Sequence, residues 1–296
     1  MIPRNTRYGN IAKLALMVAL LSIGSLVSAQ EPAQERKAFR VCAPPHNMPL
    51  STKAEEGWEN KIAQLFAGKL GLPLEYVWFP QRIGFIRNTL RFNNNADESF
   101  ICDIVIGVID NFELAATTKP YLRSSWTMVY VKGRGLDFIK SQADLKNLTD
   151  EQKSILRIGL WDKGPAPDYI YLRGLMDYAT PYQMMSGDTE RNAGRIIEED
   201  LIEDKINLTF VWGPIAGYYA KQIKDHEVVV IPMKNELRIP FEYQISMAVR
   251  HGEKQWKEQI NGLIDDNQDE INKILDEYGV PRLPVVMREF EDDDDD

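Results

Sequence analysis

Arg82, Phe85 and Arg87 place two guanidinium groups and an aromatic ring within the short segment PQRIGFIR, right after Gln81. Aromatics beside arginine are common in protein interfaces, where the planar cation both stacks and donates hydrogen bonds. The bland alternative is a surface helix with solvated arginines. Trp212 is a second candidate, because Gly213-Pro214 turns the chain immediately after the ring. Tyr218 follows on the helix that this turn opens. Trp161, Asp162 and Lys163 offer a ring and both signs of charge at another strand end. His46 stands between Pro45 and Asn47, and a lone loop histidine is ordinarily incidental. The other histidines, His226 and His251, lie far away in sequence. No nucleophile elbow, zinc-protease helix or phosphate-binding loop occurs, and Gly133-Arg134-Gly135 lacks the third glycine of a dinucleotide loop. The pattern points to binding rather than catalysis. We expect no catalytic residue, no metal site and no cofactor. The acidic end of the chain is too irregular to hold a cation tightly.

These candidates need a scaffold. A strand over 39–42 is ended by Pro44-Pro45. Trp58, Ile62, Leu65, Phe66 and Leu70 recur at helical spacing, and Gly71 closes that helix. A strand over 74–79 stops at Pro80, and Ile83, Ile86 and Leu90 predict a second helix before the strand CDIVIG. This strand-helix alternation implies a mostly parallel sheet, since parallel strands need crossover helices. The long apolar run 121–131 reads as a first crossing into another lobe. There the pattern restarts, with strands over 156–160, 208–212 and 228–231. Helices are expected over 166–174, over 189–201 (burying Ala193, Ile196, Ile197 and Leu201), and around Ile215, Tyr218, Tyr219 and Ile223. The alternating stretch 243–249 reads as the return crossing. Closing helices carry Trp256, Ile260, Leu263 and Ile264, then Ile271, Ile274 and Leu275. The reading is therefore an α/β chain with one lobe from 38–131 plus 243–286 and another from 132–242. Two crossings predict hinge closure over a central cleft. Ligands of open α/β sheets bind beyond the carboxyl ends of strands, which is where the candidates cluster.

The first 29 residues read as an export signal: Arg4, Arg7 and Lys13, a 14-residue apolar run from 14 to 27, then Val27-Ser28-Ala29 for cleavage. That run is short for a permanent membrane anchor, which needs about 20 apolar residues. Without the three signal cations the chain holds 32 Lys+Arg against 44 Asp+Glu, a net charge of −12. That sign argues against nucleic acid or anionic lipid as partner. Export permits a disulfide, and Cys42 and Cys102, on strands expected to be neighbours, are predicted to form one. The alternative is two buried free thiols. The end of the chain, 287–296, finishes in five aspartates and is expected to be a disordered acidic tail.

The stretch ICDIVIGVIDNFELAATTKPY resembles the first lobe of extracellular solute-binding proteins of the amino-acid-binding type, that is, periplasmic binding protein type II. In that family an arginine after this strand clamps the ligand carboxylate. Aligned backwards from Pro120-Tyr121, its place falls near Asn111 and Phe112, and no cation stands between Gly107 and Lys119. The acid that such receptors offer to the ligand ammonium would follow 208–211, where this chain has Trp212-Gly213-Pro214. With both clamps missing, the resemblance implies a cleft with an aromatic and apolar rim that does not take free amino acids.

A closer resemblance rests on RVCAPPHNMPLS, GWENKIAQLFAGKLGLPLEYVWFPQRIGFIRNTLR, CDIVIGV, ATTKPYLRS, VWGPIAGYY and IPFEYQISMAVRHGE. Together these are similar to the solute-binding-like proteins associated with PQQ-dependent methanol dehydrogenases, the MxaJ and XoxJ group. The segment 162–168 and the acidic tail depart from that pattern. The resemblance implies a periplasmic, non-catalytic accessory that helps mature or activate the dehydrogenase, with the dehydrogenase and its cytochrome c as partners. It carries over no binding residue. The competing expectation is a receptor that captures a small molecule, other than an ordinary amino acid, for an ABC permease.

Overall fold

A computed structural model describes residues 36–94, 99–184, 192–236 and 238–287. The expected export signal and most of the acidic tail lie outside the described residues, as does the start of the helix expected over 189–201. Strand β1 (Phe39–Ala43) pairs in parallel with β2 (Leu74–Trp78), and helix α1 (Trp58–Leu70) crosses between them. Gly71 ends α1 in the left-handed conformation (φ +65°), where a side chain would be strained. The second helix is shorter than its spacing predicts. Only Phe85–Asn88 (α2) is helical, because Gly84 enters it at φ +87° and Thr89 leaves helical geometry at its end. Ile83 consequently stays outside, 78% exposed.

Strand β3 (Val105–Ile109) follows, joined to β1 through a parallel bridge at Val41 and Ile104. Then comes β4 (Leu122–Val131), which serves both lobes. Its residues 122–125 pair with β9 (Glu242–Val249), whereas 126–129 pair with β7 (Leu208–Trp212) and 127–131 with β8 (Val228–Pro232). The switch falls between Ser125, opposite Glu242, and Trp126, opposite Trp212. The parallel character predicted from sequence holds for β1 with β2 and for β5 (Ile158–Trp161) with β6 (Ala179–Tyr182) and β7. The crossing strands pair antiparallel with their neighbours, because each runs back through the hinge.

Helix α3 (Ala166–Leu172) packs on β5, and α4 (Gly213–Gln222) follows β7 with Pro214 in its first turn, where no amide hydrogen is missed. Of the helix expected over 189–201, the described part is a π-helical segment at Ile196–Leu201 that buries Ile196, Ile197 and Leu201. The two expected closing helices follow one another as α5 (Lys254–Glu277) and meet at Asn267, where the backbone leaves helical geometry (φ −126°, ψ 19°) and the axis kinks.

One core gathers Phe39, Trp58, Phe66, Ile104, Met247 and Trp256 around β1, α1 and α5. Two others, around Tyr169 and Phe210 and around Val211 and Tyr219, fill the second lobe. Cys42 and Cys102 form the predicted disulfide with Cα atoms 5.7 Å apart, within the span that such bonds allow. Behind the hinge, α4 lies tightly on the end of α5. A Cβ at Gly217 would meet the Gly279 carbonyl oxygen at 2.1 Å, Tyr218 stacks on Tyr278, and Lys221 Nζ donates to the Glu277 carbonyl at 2.7 Å. Among the described residues no helix is long and apolar enough to cross a membrane.

Candidate binding cleft

The cleft is built from strand ends. Beyond β1 the chain turns through Pro44 and a cis Met48-Pro49 bond into Leu50, and Gly57 lets α1 begin against that turn. A Cβ at Gly57 would overlap the Leu50 carbonyl, so this approach demands glycine. Past β2, Gln81 and Arg82 line the opening, and Phe85 and Ile86 pack beneath it. From β3 come Val105, Gly107 and Val108, and from the second lobe comes Trp212 at the end of β7.

Two adjoining cavities result. The first, about 390 Å³, lies mainly against the first lobe and is walled by Leu50, Trp58, Phe85, Val108, Phe112 and Ile245. The second, about 260 Å³, lies between His46, Gln81 and Arg82 on one side and Trp126, Trp161, Met184 and Ile215 on the other. Gln81, Arg82 and Trp212 border both cavities. Trp212 is half-buried, with its ring edge-on to Tyr243 at 6.0 Å. Trp161 is nearly enclosed beside Tyr182, and its indole N–H has no partner among the described residues.

The remaining sequence candidates sit elsewhere. Arg87 is exposed on α2, beyond either cavity. Asp162 and Lys163 are exposed beyond β5, and Asp162 accepts a hydrogen bond from the Met184 amide at 2.9 Å. Tyr218 faces Tyr278 at the back of the hinge. Helical spacing gave no means of telling which side of α4 would meet the cleft.

The loop that lacks the clamp arginine borders the first cavity. Asn111 and Phe112 stand where an arginine was absent, and Phe112 contributes only an apolar wall. Yet a guanidinium and a carboxyl do border the first cavity from other parts of the chain: Arg82 at the rim and Glu59 at the floor. Glu59 is 6% exposed, and its Oε1 lies so close to Gly107 that a Cβ there would meet it at 2.2 Å. Burial pushes its carboxyl up to about 8, so at pH 7 it is mostly protonated and brings little negative charge to the cavity. An acid in the first turn of a helix reads from sequence as a complement to the helix dipole, which is why Glu59 gave no signal. Its nearness to Gly107, a residue 48 places later, exists only in the folded chain.

The described residues contain no group of three or more histidine, cysteine or acidic side chains placed to hold a metal ion. The buried Asp103 is used structurally: Arg250 Nη2 donates to Oδ1 at 2.8 Å and Arg40 Nε to Oδ2 at 2.8 Å.

No family model matches the sequence. Protein MoxJ of Methylorubrum extorquens is 27% identical over 308 aligned residues, covering 95% of this chain and 97% of that protein. The crystal structure of periplasmic binding protein XoxJ from Methylobacterium extorquens AM1 is 31% identical, with a TM-score of 0.65, and covers 83% of this chain and 100% of that one. MxaJ from Methlophaga aminisulfidivorans MPT shares the fold at 22% identity and TM-score 0.66, over 83% of this chain and 100% of its own. The same fold recurs in an ancestral cationic amino acid solute binding protein at 18% identity and TM-score 0.62, covering 82% and 96%.

Proposed function

This chain belongs to the family of MoxJ, MxaJ and XoxJ, with the two-lobed periplasmic binding protein fold, and from that premise we propose that it is a non-catalytic periplasmic accessory of a PQQ-dependent methanol dehydrogenase. Its lobes close on a segment of the dehydrogenase during maturation or activation in methanol oxidation. The observation that carries this reading is the apolar mouth. Ile83, Ile109 and Leu114 border the first cavity while 78%, 51% and 45% exposed, beside the Trp212 ring. Contiguous exposed apolar surface of this kind marks a contact for another macromolecule, with aromatic and arginine anchors at its centre. Fold alone does not fix this role.

The test is capture from periplasm. The tagged protein is expected to retain the dehydrogenase, whereas Trp212→Ala and Arg82→Glu variants lose most of it. An eluate without dehydrogenase overturns the reading. A second reading, a receptor that delivers a small molecule other than an ordinary amino acid to an ABC permease, is favoured by the size of the first cavity, about 390 Å³. A thermal shift with small ligands alone, without any effect of the dehydrogenase, would select it.

A further inference from the structure

The floor of the first cavity holds a group that the contacts of the fold leave unused. Among the described residues, the Glu59 carboxyl makes no hydrogen bond and no ion pair. Nearby, the Trp58 indole N–H and the Tyr121 hydroxyl are buried and likewise without partners, and Tyr121 is close enough for the Glu59 charge to raise its pKa. A buried polar group normally has a partner, because leaving one unpaired costs about 1–3 kcal/mol. The walls above Glu59 are apolar: Leu50, Trp58, Phe85, Val108 and Ile245. We propose that this cavity receives a primary ammonium group carried on an unbranched apolar stem, with the Glu59 carboxylate as its counter-ion.

The shape of the site is that of an amphipathic side chain in reverse. A stem of several methylenes runs along the apolar wall while the charged head reaches the one acid at the end. The head brings the charge that pairs with Glu59 and the hydrogens that an acceptor needs. The titratable groups facing Glu59 are Tyr121, Tyr76 and, at the rim, Arg82. Both tyrosines are held protonated by burial, and Arg82 is exposed, where water screens its charge. The inference does not depend on the function proposed above, because a lysine side chain of a polypeptide and a free aliphatic amine present the same chemistry.

Binding must displace the Glu59 proton. With its carboxyl at about 8, most of one proton is released at pH 7 and little at pH 9, so affinity rises roughly tenfold between those values. The experiment is calorimetry of the mature chain with n-butylamine, with Nα-acetyl-lysine methylamide and with n-butanol, at pH 7 and pH 9, in two buffers of different ionisation enthalpy. Either amine is expected to bind with proton release at pH 7, and n-butanol at least tenfold more weakly. Tighter binding of the lysine amide assigns a polypeptide source, and tighter binding of n-butylamine a free amine. Glu59→Gln is expected to abolish the pH dependence and to cost at least tenfold in affinity at pH 9. Gly107→Ala, which displaces the carboxyl, is expected to do likewise. No binding of either amine, equal binding of n-butanol, or unchanged affinity in Glu59→Gln overturns the inference. The wild-type proton release stands even if both variants fail to fold. Capture of the dehydrogenase by a chain that binds neither amine would sink this inference and leave the proposed function standing.

Discussion

Arg250 reaches across 147 residues of sequence to donate from Nη2 to Asp103 Oδ1 at 2.8 Å, with both side chains almost wholly removed from water. Arg40 adds a two-pronged contact to the same carboxylate, at 2.8 and 2.9 Å, and Arg250 also binds the carbonyls of Cys102 and Leu90. Removing one member of a buried ion cluster leaves the others uncompensated, at about 3–5 kcal/mol. Asp103→Asn is therefore expected to lower stability by about that much in urea denaturation. Arg40→Met, at the part-exposed edge, should cost about 1 kcal/mol. Equal, small losses for both variants would show that water solvates the cluster.

The Cys42–Cys102 bridge closes a loop of 60 residues. In the chain-entropy account, a loop of that size stabilises by about 4 kcal/mol. The double Cys→Ser variant should lose about this amount, and the denatured, unreduced wild type should show no free thiol by thiol titration. Detection of two thiols would contradict the bridge.

Glu59 makes stability depend on pH. Its carboxyl stands at about 8 in the folded chain against an ordinary value of 4.5. The folded state thus holds a proton that the unfolded state releases. Stability is full below pH 4.5, falls as pH rises from there to 8, and is level above. The shift corresponds to a loss on the order of 5 kcal/mol. Glu59→Gln should flatten this slope, raising Tm at pH 8 relative to wild type but not at pH 4. An unchanged slope in the variant would locate the titration elsewhere.

The contact between Gly217 and Gly279 leaves no room for a methyl group, since a Cβ at Gly217 would meet a backbone oxygen. Gly217→Ala is expected to cost about 1–3 kcal/mol through overpacking. Amides around Gly279 and Lys221 should lose protection from hydrogen exchange in that variant. Protection equal to wild type would mean that the two helices separate freely.

Much of this architecture could be read from the chain. Prolines and glycines marked where Phe39–Ala43 and Leu74–Trp78 stop, and the period of Trp58, Ile62 and Phe66 marked the helix between them. The cysteine pair followed from strand adjacency. Misjudged features have local causes. Gly84 sits in a left-handed conformation that cut the second helix to one turn, although Ile83, Ile86 and Leu90 kept helical spacing. The closing helices, by contrast, were legible as two successive apolar runs, and they meet at buried Asn267, which leaves helical geometry while its side chain donates to the Leu263 carbonyl at 2.8 Å. At the cleft, Gln81, Arg82, Phe85 and Trp212 were readable because a breaker follows or precedes each. Tyr218 pointed the other way, and Glu59 was invisible because its meaning lies in Gly107, on a different element.

The glycine contact behind the hinge also fixes how the jaws can travel. Two backbones in van der Waals contact there form a fulcrum, so the lobes have to swing about it rather than slide past one another.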